Sequence, residues 1–420
     1  MTGGPLDSEE EAPSFVDRAL GALCGIYADV LTLPATAADP AGVFHASVAR
    51  EDYDFASAGG GVARSVAGAQ TAAVGEALER YAASTSRLPL TDVDDLQHEA
   101  NVLPASTFTL HSERQREDPQ YPHGRYSADG DRWFTTAFDL ATNEPSFVPA
   151  ALVGLTNEFG AYSTSSGLAL HSDPWLALLR AAEELIERDA FMTTWFHQLG
   201  GKLVEDRVAD DRLGGRIRVF DITPDYSIHP VAIVTGTLPL QGQPRHSMGV
   251  ACRPNWGEAV ERAELECLQG ITFVGQKLAR EPELHALTAA NTRNFDHHAV
   301  YYAANPDEWE QLPLHRFAIE SPAPQTDNHG SSGELLRSLA DHLNIRGVRL
   351  FYRDLSTIDL LQLGLTAVRA LSPELTPIHH DHVWPFLGGR AADLSFHYSC
   401  LLYTSPSPRD ATLSRMPSSA

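Results

Sequence analysis

The sequence predicts an α+β fold: mixed β-sheets packed with helices, built on internally repeated strand-loop-helix units that together form one cleft. Three observations carry this. A glycine-containing apolar stretch followed by an amphipathic helix occurs three times. Runs such as HPVAIVTG (His229 to Gly236) and GVRLFYR (Gly347 to Arg353) have the β-branched and aromatic content of sheet strands. A length of 420 residues at 43% hydrophobic is enough for one large core.

In the first unit, Gly61-Val62-Ala63 precedes AVGEALERY, in which Val74, Ala77, Leu78 and Tyr81 recur at helical spacing. The second runs from Gly167-Leu168-Ala169 into AAEELIERD, with Leu178, Ala182, Leu185 and Ile186 as its apolar stripe. The third runs from Gly249-Val250-Ala251 into AELECLQG. Asp173-Pro174 and Arg253-Pro254 supply start signals for the second and third helices. The shared signature is Ala-x-x-Glu-x-x-(Glu/Gln)-(Arg/Gly), opening on Ala73, Ala181 and Ala263. Copies lie too far apart for a solenoid, so one supersecondary unit is used three times in a domain. SPAPQTDNHGSSG (Ser321 to Gly333) reads as a flexible loop.

Residues 1–14 are acidic and lack a basic segment followed by an apolar run; they read as a disordered start, not a signal peptide. The domain is expected to span 15–399. Cys400 to Ala420, CLLYTSPSPRDATLSRMPSSA, reads back into codons, in one frame, as two successive segments resembling a transposon-end sequencing adapter and the index sequence that follows it. A Ser/Pro-rich disordered tail is the ordinary reading of such composition. The double match is more specific, so 400–420 is expected to be non-native and the native chain to be cut near Ser399.

The net charge of -24 argues against a nucleic-acid surface, which rests on Lys and Arg neutralising phosphates. No apolar run is long enough to span a membrane. Four cysteines without a C-x-x-C pair give neither a disulfide framework nor a zinc site. A cytoplasmic protein is expected. Lys202 and Lys277 are the only lysines, and neither closes a G-x-x-x-x-G-K-[ST] loop, so a nucleotide would not be held by a Walker loop.

At 100° per residue Glu76, Glu79 and Arg80 share one helix face, as do Glu184, Glu187 and Arg188, and Arg262, Glu266 and Gln269. In the first two helices that polar face lies opposite the apolar stripe. A single E-x-x-E-R is ordinarily a solvated face. Its recurrence at matching offsets after a glycine-bearing strand favours convergence. Five glutamates in one cleft would repel, and magnesium, a hard ion completed by waters and phosphates, would neutralise them. Arginine, with its planar fork, would then meet phosphate oxygens.

GGGVARSVAGAQTAAVGEALERY, GLALHSDPWLALLRAAEELIERDAFMTTW and MGVACRPNWGEAVERAELECLQG resemble the three ATP-site blocks of the YcaO family. The closer likeness is to the cyclodehydratase subunit of thiazole/oxazole-modified peptide pathways, and LFYRDLSTIDLLQLGLTAVRALSPELTPIHHDHVWPFLGGR resembles the C-terminal block of that branch. The resemblance covers roughly Phe15 to Arg390. It implies an enzyme that binds ATP with Mg2+ and phosphorylates a backbone amide oxygen of a ribosomally made precursor peptide. A Cys, Ser or Thr side chain attacks the preceding carbonyl, and loss of phosphate leaves an azoline. Glu76, Glu79, Glu184, Glu187 and Glu266 become metal and phosphate candidates. Arg80, Arg188 and Arg262 become phosphate or supporting candidates, and Gln269 a nucleotide contact. Implied partners are the precursor peptide, a separate leader-peptide-binding protein (E1-like or ThiF-like), a flavin dehydrogenase and a second copy of the chain. Thioamide or amidine formation, and a non-catalytic scaffold subunit, stay open as alternatives.

Departures accompany the likeness. Gly59-Gly60-Gly61 stands where many relatives carry Gly-Lys-Gly, with Arg64 or Ser65 as nearby substitutes, and Ala73 stands where some have Ser. The proline-rich tail whose carboxylate reaches the site in this branch has no counterpart, so the chain is expected to be catalytically impaired and no catalytic residue is assigned. His379, His380, Asp381 and His382 invite a metal, but adjacent ligands point different ways and a structural loop is favoured. His297-His298 reads as a polar pair in a loop. Cys252 and Cys267 read as small hydrophobes, and Trp133, Trp195 and Trp256 as core or rim.

Overall fold

A computed structural model describes residues 14–21, 23–35, 39–40, 42–48, 59–121, 132–155, 164–211, 213–240, 243–379 and 381–398. The expected tail at 400–420, the acidic residues 1–13 and His380 lie outside the described residues. Ser14 caps the first helix, α1 (Phe15–Ala19), by accepting from the Asp17 amide.

Among the described residues three sheets make up the β content. The first is antiparallel in the order β1 (Leu31–Leu33), β2 (Phe44–Val48), β3 (Gly59–Ala63). β3 leads into α2 (Val66–Thr85), whose N-cap Ser65 accepts from the Gly68 amide. The second sheet runs β4 (Thr91–Asp92), β5 (Trp133–Asp139), β13 (Phe351–Asp354), β14 (Thr366–Leu371), β7 (Leu168–His171), with β6 (Pro145–Pro149) paired to β5. β7 leads into α3 (Pro174–Phe196), started by the Asp173 cap and proline at its first turn. The third runs β11 (Gln243–Cys252), β10 (Val231–Leu240), β9 (Arg216–Asp221), β8 (Lys202–Arg207), β12 (Ile319–Glu320). β11 leads into α4 (Trp256–Arg280). Among these strands every pairing is antiparallel except β8 with β12. The α+β architecture and the three strand-to-helix units are therefore present.

Two glycine-bearing strands let their helices lie directly on them. A Cβ at Gly249 would stand 2.6 Å from the Cys267 nitrogen and closer still to the Ala263 carbonyl oxygen. At Gly59 it would stand 2.6 Å from the Ala77 nitrogen and closer to the Ala73 carbonyl oxygen. The signature alanines are thus the residues that touch the strand, and all three, Ala73, Ala181 and Ala263, are fully buried. Small against small brings two backbones together, and the glutamate three residues later is presented at the strand edge. The second unit differs: Gly167 has φ +82° and faces the Ala370 carbonyl and Leu185 instead.

β14, β11 and α5 (Ser332–Ile345) cover α3 on several sides, so Glu183 and Asp189 are fully buried and Glu187 is 4% exposed. Four expectations need correction. Pro254 precedes the α4 cap, Asn255, so it sets the approach and not the first turn. In GVRLFYR only Phe351 onward pairs as strand. Residues 321–330 are irregular as read, but the segment is tied down: Asn328 donates to the carbonyls of Ile228 (3.1 Å) and Pro254 (2.8 Å), and the Trp256 amide donates to Thr326. His297 and His298 are helical, within Phe295–Ala304.

Candidate functional site

α2, α3 and α4 present their glutamates to one cleft of about 750 Å3. Glu76 and Glu79 come from α2, Glu184, Glu187 and Arg188 from α3, and Arg262, Glu266 and Gln269 from α4. Strand residues Gly60, Gly61 and Leu168 complete the wall. The amide of Gly60 donates to Glu76 Oε2 at 2.8 Å, and a side chain at Gly60 would meet Gln269 Nε2 at 2.9 Å. Glu76, Gly60 and Gln269 therefore close one end of the cleft.

Eight of the nine expected site residues line the cleft. Arg80 does not; it pairs with Glu76 one turn back on α2, outside the lining. Arg188 bridges Glu184 and Glu187 at 3.2 Å each, and Arg262 meets Glu266 at 3.0 Å. Glu187 also accepts from the Cys252 amide, which ties α3 to the end of β11. Arg64 and Ser65 do not reach the cleft: Arg64 lies near Glu264 at 3.6 Å and Ser65 is a helix cap. Cys252 and Cys267 are free and buried, and burial pushes both thiols up, away from nucleophilic use. His379 and His382 are buried against His298, away from the cleft lining.

The carboxylates are electrostatically crowded. Burial, then the charges of Glu184 and Glu76, push Glu79 up to about 8. Burial, with Glu266 and Glu184 beside it, likewise takes Glu187 to about 8. Glu184 is raised by burial as well. Arg188 is held in its charged form by Glu187, Glu184 and Glu266 against the cost of its own burial.

The model of the family described as YcaO cyclodehydratase, ATP- and Mg2+-binding, matches residues 60–376. The chain belongs to the YcaO family. No curated protein matches it by sequence. A heterocyclase solved in complex with substrate and cofactor aligns at TM-score 0.68 and 16% identity, covering 91% of this chain and 54% of that one. YcaO from Methanopyrus kandleri bound with AMPPCP and Mg2+ aligns at 0.57 and 18%, covering 83% and 86%. The E. coli microcin synthetase McbBCD complex with pro-MccB17 bound aligns at 0.60 and 13%, covering 86% and 92%. The chain spans about half the length of the first of these structures. At such identities the likeness shows the YcaO fold.

The donor set of this YcaO chain fits the family's ligands. Among the described residues no three His, Cys, Asp or Glu side chains are gathered closely enough to hold a metal ion by themselves. Magnesium does not ask for that: it takes one or two carboxylates and fills its octahedron with waters and substrate phosphates. Hard oxygen donors on three helices, crowded enough to hold protons, meet this description.

The raised carboxylates give a sign. A folded value near 8 against an ordinary 4.5 means stability present below pH 4.5 and lost as pH rises toward 8. Metal-bearing nucleotide needs the anionic form. Binding of ATP-Mg at pH 7 is therefore expected to release protons, and affinity to rise up to about pH 8. Titration calorimetry in buffers of different ionisation enthalpy measures this; a heat independent of buffer would refute it.

Several residues of the site were not legible. Glu183, adjacent to Glu184, points the other way and is fully buried on His229 Nδ1 at 2.9 Å and Arg180 at 2.5 Å. Arg180, Arg253, His171, Met248 and Phe273 line the cleft. Arg369 lies beneath it. Only its position at the strand preceding SPELTP could have drawn attention.

Proposed function

We propose that this chain is the ATP-dependent cyclodehydratase of a thiazole/oxazole-type peptide modification system, with residues 15–399 as its YcaO unit. The supporting observation is the cleft lined by Glu76, Glu79, Glu184, Glu187 and Glu266 from three helices. ATP would supply the phosphoryl group that turns a backbone amide oxygen into a leaving group, and Mg2+ would offset the phosphate charge. In this reading Glu76, Glu79, Glu184, Glu187 and Glu266 supply the metal's carboxylates, one or two to an ion, with phosphates and waters completing it. Arg188 and Arg262 keep those carboxylates apart and oriented, and Arg80 holds Glu76 from behind. Gln269, beside Gly60, faces the nucleotide. Cys, Ser or Thr of a precursor peptide is the internal nucleophile.

The inferred partners are that peptide, a separate leader-binding protein of E1-like or ThiF-like type, a flavin dehydrogenase and a second copy of the chain. McbBCD, a multi-subunit synthetase bound to a peptide, supports a complex of this kind. Among the described residues no helix is long and apolar enough to cross a membrane, in keeping with a cytoplasmic site of action.

Incubating the full-length chain and its partners with precursor peptide and ATP-Mg tests the reading by mass. Loss of one water per ring is expected; sulfur-for-oxygen exchange would indicate thioamide formation instead, and no change would favour a scaffold. Glu184→Ala is expected to weaken ATP-Mg binding about tenfold or more, and unchanged binding would remove the site assignment.

A further inference from the structure

We propose that Arg180 and Arg253 form an anion subsite that takes the terminal phosphates of the bound nucleotide. The proposal rests on the ATP reading above and deepens it.

Both side chains line the cleft and both reach the same oxygen, Glu183 Oε2, at 2.5 and 3.9 Å. The two guanidinium groups therefore stand near one another, although one lies in the second turn of α3 and the other follows β11. Their shared anchor is fully buried, and its second oxygen meets the buried His229 at 2.9 Å. Arg253 is braced further by donating from Nη1 to the Cys252 carbonyl at 2.6 Å. Side-chain exposures of 30% and 18% leave part of each fork facing the cleft.

Charge decides what such a pair is for. Arg80, Arg188 and Arg262 are each matched to a glutamate four residues earlier or later on the same helix. Arg180 and Arg253 are instead held from two segments on the one buried Glu183, so part of each fork stays open to an anion in a cleft that five glutamates, Arg188 and Arg262 also line. A peptide carboxylate, with a single charge, would meet five like charges there. A polyphosphate carries enough charge to engage the forks and a metal together, and its tetrahedral oxygens match paired guanidinium donors. Arg180 stands one turn before Glu184 on α3, and the Arg253 charge acts on Glu187. The pair thus flanks the carboxylates assigned to the metal.

Calorimetric titration of the full-length chain with ATP-Mg and AMP-Mg tests this. Arg180→Gln and Arg253→Gln are each expected to weaken ATP-Mg about tenfold or more while changing AMP-Mg less than about twofold. The lysine variants should recover only part of the loss, because a point charge lacks the fork. Equal weakening of ATP and AMP in a folded variant would mean a structural role and overturn the subsite, as would no weakening at all. If Arg180→Gln leaves Glu183 stranded and unfolds the chain, combining it with Glu183→Gln keeps the comparison. A wild-type chain that binds neither nucleotide overturns the functional reading and the subsite together, whereas ATP binding indifferent to both arginines overturns the subsite alone.

Discussion

Replacing Arg369 with leucine is expected to lower stability by about 3 to 5 kcal/mol, the cost of breaking a buried charge network from one side. Arg369 is 1% exposed on β14. It donates to the carbonyls of Thr164 (2.6 Å), Ser166 (2.7 Å) and Val153 (3.2 Å), to which leucine offers no donor. Burial draws its guanidinium down to about 10, and the charges of Glu184 and Glu79 hold it up. It is the cation beneath the carboxylate wall, so leucine would strand three carbonyls and remove the charge facing two glutamates. Arg369→Lys keeps the charge but loses the three-way fork and should fall between. Urea unfolding midpoints measure the series; a leucine variant with the wild-type midpoint would contradict this account.

Gly249→Ala is the second large effect. The new methyl would press on the Ala263 carbonyl oxygen and the Cys267 nitrogen, both backbone atoms of α4 that cannot rotate aside. Either β11 or the helix must shift, at about 3 kcal/mol. Glu266 lies on the same turn, its Cβ 2.8 Å from where that methyl would be. ATP-Mg affinity should therefore fall together with stability. Gly257 supplies the contrast: nothing lies within 4 Å of a Cβ there, in the first turn of α4. Gly257→Ala is expected to stabilise by about 0.5 to 1 kcal/mol through helix propensity and a less flexible unfolded chain. Thermal melts of the two variants should move in opposite directions, and a neutral Gly249→Ala would mean that the strand-helix contact is not tight.

The three units were legible because they repeat. Ala73, Ala181 and Ala263, each followed by glutamate at the third position, combine helical spacing with a size constraint, and both are local properties. The expected cleft residues follow from the same geometry, since a helix face is set by its own turn. Arg80 broke the expectation although it makes the same i, i+4 pair with glutamate as Arg188 and Arg262, which do line the cleft, so helix spacing alone does not encode the difference.

What stayed hidden depends on contacts between distant segments. Glu183 and Glu184 are neighbours with opposite fates, one on His229 in the core and one in the cleft. Periodicity marks both as polar and cannot say which wall will be covered by β10 and β11. Arg180 and Arg253 meet through Glu183, a pairing across 73 positions that no local pattern encodes. The amino-acid sequence by itself determined the α+β units, the family likeness and the glutamates of the three helices, because these rest on spacing and residue size. Only the tertiary structure decided which charges are paired and how deeply the carboxylates are buried, because those depend on what the rest of the chain packs against them.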